Sequence, residues 1–102
     1  MQVLHKQQND TLIIFLVGEL DEHTSQFTRT KIDNILNQNQ LGKVVFDCSG
    51  LSFMDSTGIG MFLGRYKKLK SQGTPIFIAH AKNSVDRVLL LSGIYNIMPK
   101  IS

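Results

Sequence analysis

A serine beside an aspartate and closely spaced glycines is the arrangement in this sequence best suited to chemistry. The hydroxyl of Ser56 is a candidate nucleophile, and a serine nucleophile needs a nearby base to activate it. No Gly-x-Ser-x-Gly motif surrounds it. His5, His23 and His80 are scattered along the chain, with no obvious pairing to Ser56 and no metal-ligand spacing. The residues therefore give little support to a serine hydrolase or to a metal site.

The glycines that follow the serine match a nucleotide-binding motif only in part. Gly58, Gly60 and Gly64 form a Gly-x-Gly-x-x-x-Gly pattern, one residue away from the dinucleotide fingerprint. No acidic residue about 20 positions later completes a ribose site. We therefore predict no nucleotide cofactor and look to packing or docking to explain these glycines.

Ser56 stands at the start of an amphipathic helical pattern. The apolar residues that recur at helical spacing are Ile59, Phe62, Leu63, Tyr66 and Leu69. The cations Arg65, Lys67, Lys68 and Lys70 fall mostly off that stripe, which predicts a solvated face. Because a serine hydroxyl can accept a hydrogen bond from an unpaired helical N–H group, we predict that Ser56 is the N-cap.

Three glycines in the first turns of this helix need an explanation. Each costs about 1 kcal/mol relative to alanine in a helix interior. One interpretation is that the helix packs very closely against a sheet. The other is that Gly58, Gly60 and Gly64 keep a smooth surface open for a partner around an exposed Ser56. The sequence alone leaves both interpretations open.

Composition and length narrow the classes of protein. The chain has 102 residues, with 42% hydrophobic and 19% charged residues, which is typical of one globular domain over residues 1–102. The longest apolar run, Leu12 to Val17, is too short to span a bilayer, and no export signal opens the sequence. The single cysteine, Cys48, indicates a reducing compartment and reads as an inert buried thiol. We expect a cytoplasmic protein that acts without a membrane.

The net charge of +3 is mild. A nucleic-acid-binding protein would show a basic stripe with interleaved aromatic residues or a recognisable module, and neither is present. We therefore expect no nucleic-acid partner.

The first half of the chain predicts a hairpin and a helix. Gln2 to Lys6 and Thr11 to Val17 read as paired strands, with Asn9-Asp10 as the turn between them. A loop is predicted from Gly18 to His23, and a helix from Thr24 to Gln38. The apolar positions of that helix are Phe27, Ile32, Ile35 and Leu36.

The second half alternates strands and helices. Lys43 to Cys48 reads as a buried strand that Ser49-Gly50 breaks, and a loop from Leu51 to Asp55 leads to the serine helix. Gly73 is predicted to end that helix. The segments that follow are a strand from Thr74 to Ala79, a helix from Asn83 to Leu91 capped by Asn83 and stopped near Gly93, and a last short strand within Ile94 to Lys100.

The predicted fold class is α/β, with the order β-β-α-β-α-β-α-β. Such alternation implies a mixed but mainly parallel sheet of four to five strands joined by right-handed crossover helices. In such sheets functional residues usually lie beyond the carboxyl ends of the strands. The segments Gly18 to His23 and Ser49 to Ser56 are both expected there, side by side.

Four motifs at these positions resemble one known family. They are Gly18-Glu-Leu-Asp21 with His23-Thr24, Phe53-Met-Asp-Ser-Thr-Gly58, Leu63-Gly-Arg-Tyr-Lys67 and Leu91-Ser-Gly93. Together they are similar to the STAS-domain anti-sigma factor antagonists, above all to those that act in sporulation on sigma factor F. The resemblance covers Leu12 to Met98. Members commonly carry a further helix after the last strand, and since this chain stops at Ser102 we expect that C-terminal helix to be missing.

The resemblance implies a phosphorylation switch. Ser56 would be the phosphoacceptor, modified by the anti-sigma factor, which is itself a serine kinase. The unphosphorylated antagonist would bind that kinase and free the sigma factor, and a serine phosphatase would restore it. This makes the protein a regulator without catalytic residues, cofactor or metal. A STAS antagonist of a different anti-sigma factor, in a general stress response, is the alternative.

The resemblance and the loop positions also predict a partner-binding set. Its members are Asp21, Asp55, Ser56, Thr57, Gly58, Gly60 and Arg65. Simpler roles are open for three of them. Asp21 and Asp55 could cap helices, and Arg65 could belong to a solvated face.

Overall fold

The computed structural model describes all residues from Met1 to Ser102. A four-stranded sheet has the order β1-β2-β3-β4, with β1 antiparallel to β2 and the other neighbours parallel. This confirms the predicted α/β class and the mainly parallel sheet. The strands are β1 (Gln2–Gln8), β2 (Thr11–Leu20), β3 (Lys43–Met54) and β4 (Ile76–Ala79); the helices are α1 (Ser25–Asn37), α2 (Ser56–Ser71) and α3 (Asn83–Ser92), followed by a short 3-10 helix (Ile94–Asn96).

One face of the sheet carries the core. Alternate residues of β2 are fully buried, as expected for a strand with one face inside. Helices α1 and α2 add apolar side chains to the same cluster, and the rings of Phe46 and Phe62 meet edge to face with their centroids 5.3 Å apart. The fully buried members from these elements include Leu12, Ile14, Leu16, Ile32, Phe46, Phe62 and Leu69. This packing fixes where α2 begins relative to the sheet.

The central strands run further than the sequence pattern predicted. Strand β2 continues through Gly18 to Leu20, and β3 continues through Gly50 to Met54, so the predicted break at Ser49-Gly50 is wrong. The register shifts where Val17 faces Gly50. A Cβ atom at Gly50 would lie 2.8 Å from the Cγ2 atom of Val17. The glycine therefore permits a close approach of two strands rather than ending one.

The end of the chain also differs from the prediction. The expected strand within Ile94 to Lys100 is a 3-10 helix, Ile94–Asn96, followed by a single parallel bridge between Lys100 and Ile78. The backbone N–H of Ile78 donates to the carbonyl of Pro99 at 3.0 Å. The segment thus follows the edge of β4 without forming a full strand.

The predicted C-terminal glycines of the helices are confirmed, whereas the predicted N-cap of α3 is wrong. Gly73 and Gly93 have φ angles of +74° and +80°, which confirms both as the residues that stop a helix. The N-cap of α3 is Lys82 and not Asn83, and it makes no side-chain capping bond. In α1 the predicted core residue Phe27 is 51% exposed, and Thr28 is buried in its place.

No helix has both the length and the apolar character to cross a membrane.

Candidate functional site

The carboxyl ends of β2 and β3 bring the predicted site together. Leu20 pairs with Met54 at the last position of both strands. The backbone N–H of Asp55 then donates to the Leu20 carbonyl at 3.3 Å. The connections that lead into α1 and α2 therefore lie side by side, as the predicted topology required. Asp21 follows one strand and Ser56 follows the other.

Ser56 is exposed, and it is the first residue of α2 rather than its cap. Asp55 has an extended backbone, with φ −115° and ψ −168°, and its Oδ1 accepts a hydrogen bond from the Thr57 N–H at 2.9 Å. Asp55 is therefore the N-cap, and the predicted capping role of Ser56 is wrong. The Ser56 hydroxyl is therefore not needed to hold the helix, and the residue is exposed to solvent.

Asp21 organises the neighbouring connection. Its Oδ1 accepts hydrogen bonds from the backbone N–H groups of His23 at 2.9 Å and Thr24 at 3.2 Å. The Thr24 hydroxyl donates to the Glu19 carbonyl at 2.7 Å. Asp21 is partly exposed, so the side chain that orders the turn is also accessible at the edge of the sheet from which α2 starts.

The three glycines of α2 divide into two kinds. Gly58 is buried, and a Cβ atom there would lie 2.9 Å from the Met54 sulfur and 3.1 Å from Cδ2 of Leu20. Gly58 is therefore a packing residue. A Cβ atom at Gly60 or at Gly64 would meet nothing within 4 Å. These two glycines leave uncovered helix backbone on the outside of the molecule, and packing does not explain them.

Arg65 is buried, which corrects its predicted place on a solvated face. Its Nε lies 3.0 Å from Oδ1 of Asp33 on α1. The N–H does not point along that line, and neither atom has a hydrogen-bond partner, so the contact is an ion pair without a directed hydrogen bond. Burial lowers the pKa of the Arg65 guanidinium; Asp33 opposes this shift and Arg29 adds to it. The group nevertheless stays charged.

A depression of about 320 Å³ lies between the N-terminal parts of α1 and α2. Three members of the predicted partner-binding set line it, namely Thr57, Gly60 and Arg65. The full lining is Ser25, Arg29, Thr57, Gly60, Met61, Gly64 and Arg65. We call this feature the arginine depression.

The residues of α1 at this depression were not predicted from the sequence. Arg29 and Ser25 line the depression, and Asp33 neutralises its buried arginine. Asp33 is the only acidic residue of α1 and stands next to the buried Ile32. This position could have indicated a buried ion pair in the sequence, since a single carboxylate beside an apolar stripe needs a cationic partner.

Two other features lie outside the site. A larger hollow of about 460 Å³ is found at the opposite end of α2, lined in part by Tyr66, Lys70 and Phe77, and is remote from Ser56. Cys48 is fully buried, and burial, with a smaller contribution from Asp47, raises the pKa of its thiol to about 12. The thiol therefore stays protonated at neutral pH, as predicted for an inert core cysteine. No group of three or more His, Cys, Asp or Glu residues is placed to hold a metal.

Comparison with known proteins identifies the family. The sequence-family model of the STAS domain matches residues 2–102 of this chain. The chain belongs to the STAS domain family. The resemblance inferred from the motifs is thereby confirmed.

The relatives of this STAS domain include regulators of sigma factors. It is 36% identical over 99 residues to an anti-sigma F factor antagonist of Paenibacillus polymyxa, covering 97% of this chain and 85% of the relative. It is 26% identical over 93 residues to an anti-sigma-B factor antagonist of Bacillus subtilis, covering 91% and 84%.

Solved structures agree with that grouping. The unphosphorylated form of the anti-sigma factor antagonist SpoIIAA superposes with a TM-score of 0.80 at 28% identity, covering 99% of this chain and 89% of that one. The phosphorylated form of SpoIIAA, described as a Bacillus cell fate determinant, gives a TM-score of 0.71 at 27% identity, covering 99% and 92%.

Proposed function

We propose that this STAS domain is an anti-sigma factor antagonist whose docking is switched by phosphorylation of Ser56. Its unmodified form binds an anti-sigma factor that is a serine kinase, and so releases the sigma factor in the cytoplasm. The observation that carries the proposal is an exposed, structurally dispensable Ser56 beside the uncovered backbone at Gly60 and Gly64. A serine that neither packs nor caps is available to a kinase.

The relatives support both the partner and the switch. The family member SpoIIAA has been solved in an unphosphorylated and in a phosphorylated form. The higher identity to the anti-sigma F factor antagonist, 36% against 26% for the anti-sigma-B factor antagonist, favours the sporulation sigma factor F over a general stress response.

A phosphate on Ser56 should leave the domain folded. It would add a charge of about −1.5 to −2 at pH 7. It would stand at the first residue of α2, where unpaired N–H groups and the helix dipole favour an anion by about 0.3–1 kcal/mol. Because the Ser56 hydroxyl does not cap the helix, modification removes no capping bond. The fold therefore gains a surface charge without losing a contact.

The same phosphate should exclude the partner. A protein surface that covers Ser56 would bury a dianion beside Asp55, whose Oδ1 is already engaged by the Thr57 N–H. Burying an unpaired charge costs several kcal/mol, whereas about 1.4 kcal/mol changes affinity tenfold. Dissociation thus follows from electrostatics alone, and no change of shape is required.

The predicted partner-binding set fits one continuous surface, with two of its members in supporting positions. Asp21 and Asp55 order the two connections and keep carboxylate groups beside Ser56. Thr57 and Gly60 extend the surface along α2 to the arginine depression. We propose that Gly58 contributes by letting α2 seat on Met54 and Leu20, and that Arg65 contributes from the floor of the depression.

The test is phosphorylation by the cognate anti-sigma factor kinase. The protein is incubated with that kinase and ATP, and the phosphate is located by mass spectrometry. Phosphate on Ser56, and none on Ser84, is the expected result. Ser84 is a matched control because it is also exposed in the first turn of a helix. Phosphate elsewhere, or none, would refute the assignment.

Binding of two variants to the kinase completes the test. Ser56→Ala should bind constitutively, and Ser56→Asp should bind poorly. Equal affinity of both variants would contradict exclusion by charge. Repeating the phosphorylation with the anti-sigma kinase of a general stress response distinguishes the alternative function, because the true partner should modify Ser56 and the other should not.

A further inference from the structure

The arginine depression is continuous with the surface around Ser56. Thr57 follows that serine directly and lines the depression, and Gly60 and Gly64 line it further along α2. Since a Cβ atom at either glycine would touch nothing, the helix backbone here is open to close approach from outside. We therefore expect a partner that covers Ser56 to face this depression as well.

The charges around the depression are not balanced. Arg29 of α1 is exposed and takes part in no ion pair. Arg65 and Lys68 both face one carboxylate, that of Asp33, at 3.0 and 3.9 Å. Two cations therefore share one carboxylate, and Arg29 has no anionic partner of its own. The proximity of Arg29 also lowers the pKa of Arg65, as expected when two like charges lie near each other without enough compensation.

The buried arginine has unused donor capacity. Buried polar groups in proteins are normally hydrogen-bonded, yet Nε of Arg65 has no aligned acceptor. Nη1 makes only a long bond of 3.4 Å to the Met61 carbonyl of its own helix. A planar guanidinium offers five N–H donors in a geometry that matches a carboxylate. An incoming carboxylate would satisfy both the charge and the donors.

We propose that the arginine depression receives an aspartate or glutamate side chain of the anti-sigma factor. This inference rests on the proposed function, and it assigns to Arg29 a docking role that neither the motifs nor the relatives indicate. Arg29 attracts the acidic side chain from the rim, and Arg65 holds it from below. An acidic side chain is preferred over a free anion because the depression opens onto the same surface that the partner must cover.

The test uses charge changes at Arg29, where folding should not interfere. Arg29 is exposed, and removing it relieves repulsion on Arg65. The variants are Arg29→Gln and Arg29→Glu. Lys31→Gln and Lys31→Glu are matched controls, because Lys31 is an exposed cation on the same helix and does not line the depression. Urea unfolding of each variant verifies that the fold is intact.

The expected result is that the Arg29 variants, in their unphosphorylated form, bind the anti-sigma factor kinase more weakly, and that the loss of affinity depends on salt. Arg29→Gln should weaken binding about three- to tenfold and Arg29→Glu by more, with the difference shrinking at high salt. The Lys31 variants should stay within about twofold. One acidic residue of the kinase, when changed to lysine, should restore binding to Arg29→Glu.

The possible failures are distinguishable. If the wild-type protein binds no anti-sigma factor, the proposed function is wrong and this inference fails with it. If the wild type binds and is phosphorylated on Ser56, but Arg29→Glu binds as tightly as the Lys31 controls, only the acidic-side-chain inference is overturned. An Arg29→Glu defect that no lysine change in the kinase restores would also overturn it.

Discussion

Replacing the two uncovered glycines Gly60 and Gly64 by alanine should change the stability of the fold and the affinity for the partner in opposite directions. In Gly60→Ala and Gly64→Ala, the added methyl group meets nothing within 4 Å. The substitutions therefore change the helix surface without disturbing the core. Gly58→Ala is the matched control on the same helix, because its methyl group would be forced against Met54 and Leu20.

The expected stability changes have opposite signs. Alanine stabilises a helix interior relative to glycine by about 0.5–1 kcal/mol, because the unfolded glycine has more conformational freedom to lose. The Gly60→Ala/Gly64→Ala double variant should gain about 1–2 kcal/mol, or roughly 4–8 °C in melting temperature per kcal/mol at this chain length. Gly58→Ala should lose stability, since overpacking a buried contact costs about 1–3 kcal/mol and outweighs the helix gain.

The expected effect on docking is a loss. The two methyl groups would stand on the backbone surface that the partner is proposed to approach, between Ser56 and the arginine depression. A clash of about 1–3 kcal/mol corresponds to about a 5- to 150-fold loss of affinity. A variant that is more stable and yet binds more weakly cannot be explained by unfolding.

Urea denaturation and calorimetric titration with the anti-sigma factor kinase measure the two effects. Destabilisation by Gly60→Ala would show that the helix surface is not open as described. Stabilisation with unchanged affinity would show that the open glycines are not a docking surface, and would remove the principal support for the proposed function.

Changes at other single sites should have effects set by their contacts. Asp55→Ala should lower the free energy of unfolding by about 1 kcal/mol because it removes the N-cap of α2, whereas Ser56→Ala should not; equal losses in urea denaturation would contradict the cap assignment. Asp33→Ala should destabilise the fold by about 1–3 kcal/mol because it leaves the buried Arg65 without its carboxylate; an unchanged melting temperature would show that the ion pair contributes nothing. Between pH 9 and 10 the free energy of unfolding should fall by up to about 1.4 kcal/mol per pH unit, because the Cys48 thiol ionises near its ordinary pKa when unfolded but only near 12 when folded; Cys48→Ala should reduce the slope in this range, and an identical slope would refute the assignment.

The features that sequence predicted correctly are those that local patterns determine. The hairpin turn at Asn9-Asp10 and the helix stops at Gly73 and Gly93 depend on backbone conformations that few residues adopt. The order of strands and helices from β1 to α3 follows from apolar periodicity, whereas the predicted last strand was wrong. The parallel pairing then brings the connections that hold Asp21 and Ser56 to the same edge of the sheet.

The features that sequence missed depend on contacts between distant segments. Asp55 and Ser56 are both good N-caps, and the choice was made by β3, which continues to Met54 and leaves Asp55 extended. Gly50 was predicted to end a strand. Its role is to let β3 approach the neighbouring strand closely, which the local sequence does not reveal. Arg65 reads as solvated because its carboxylate partner lies on another helix.

We propose that a phosphate on Ser56, with its charge of about −1.5 to −2, prevents docking without altering the fold. The most direct test is to titrate the anti-sigma factor kinase with unmodified protein and with protein fully phosphorylated on Ser56. The expected result is affinity reduced roughly hundredfold or more by the phosphate, since a buried unpaired charge costs several kcal/mol. Equal affinities of the two forms would show that the charge on Ser56 does not control docking.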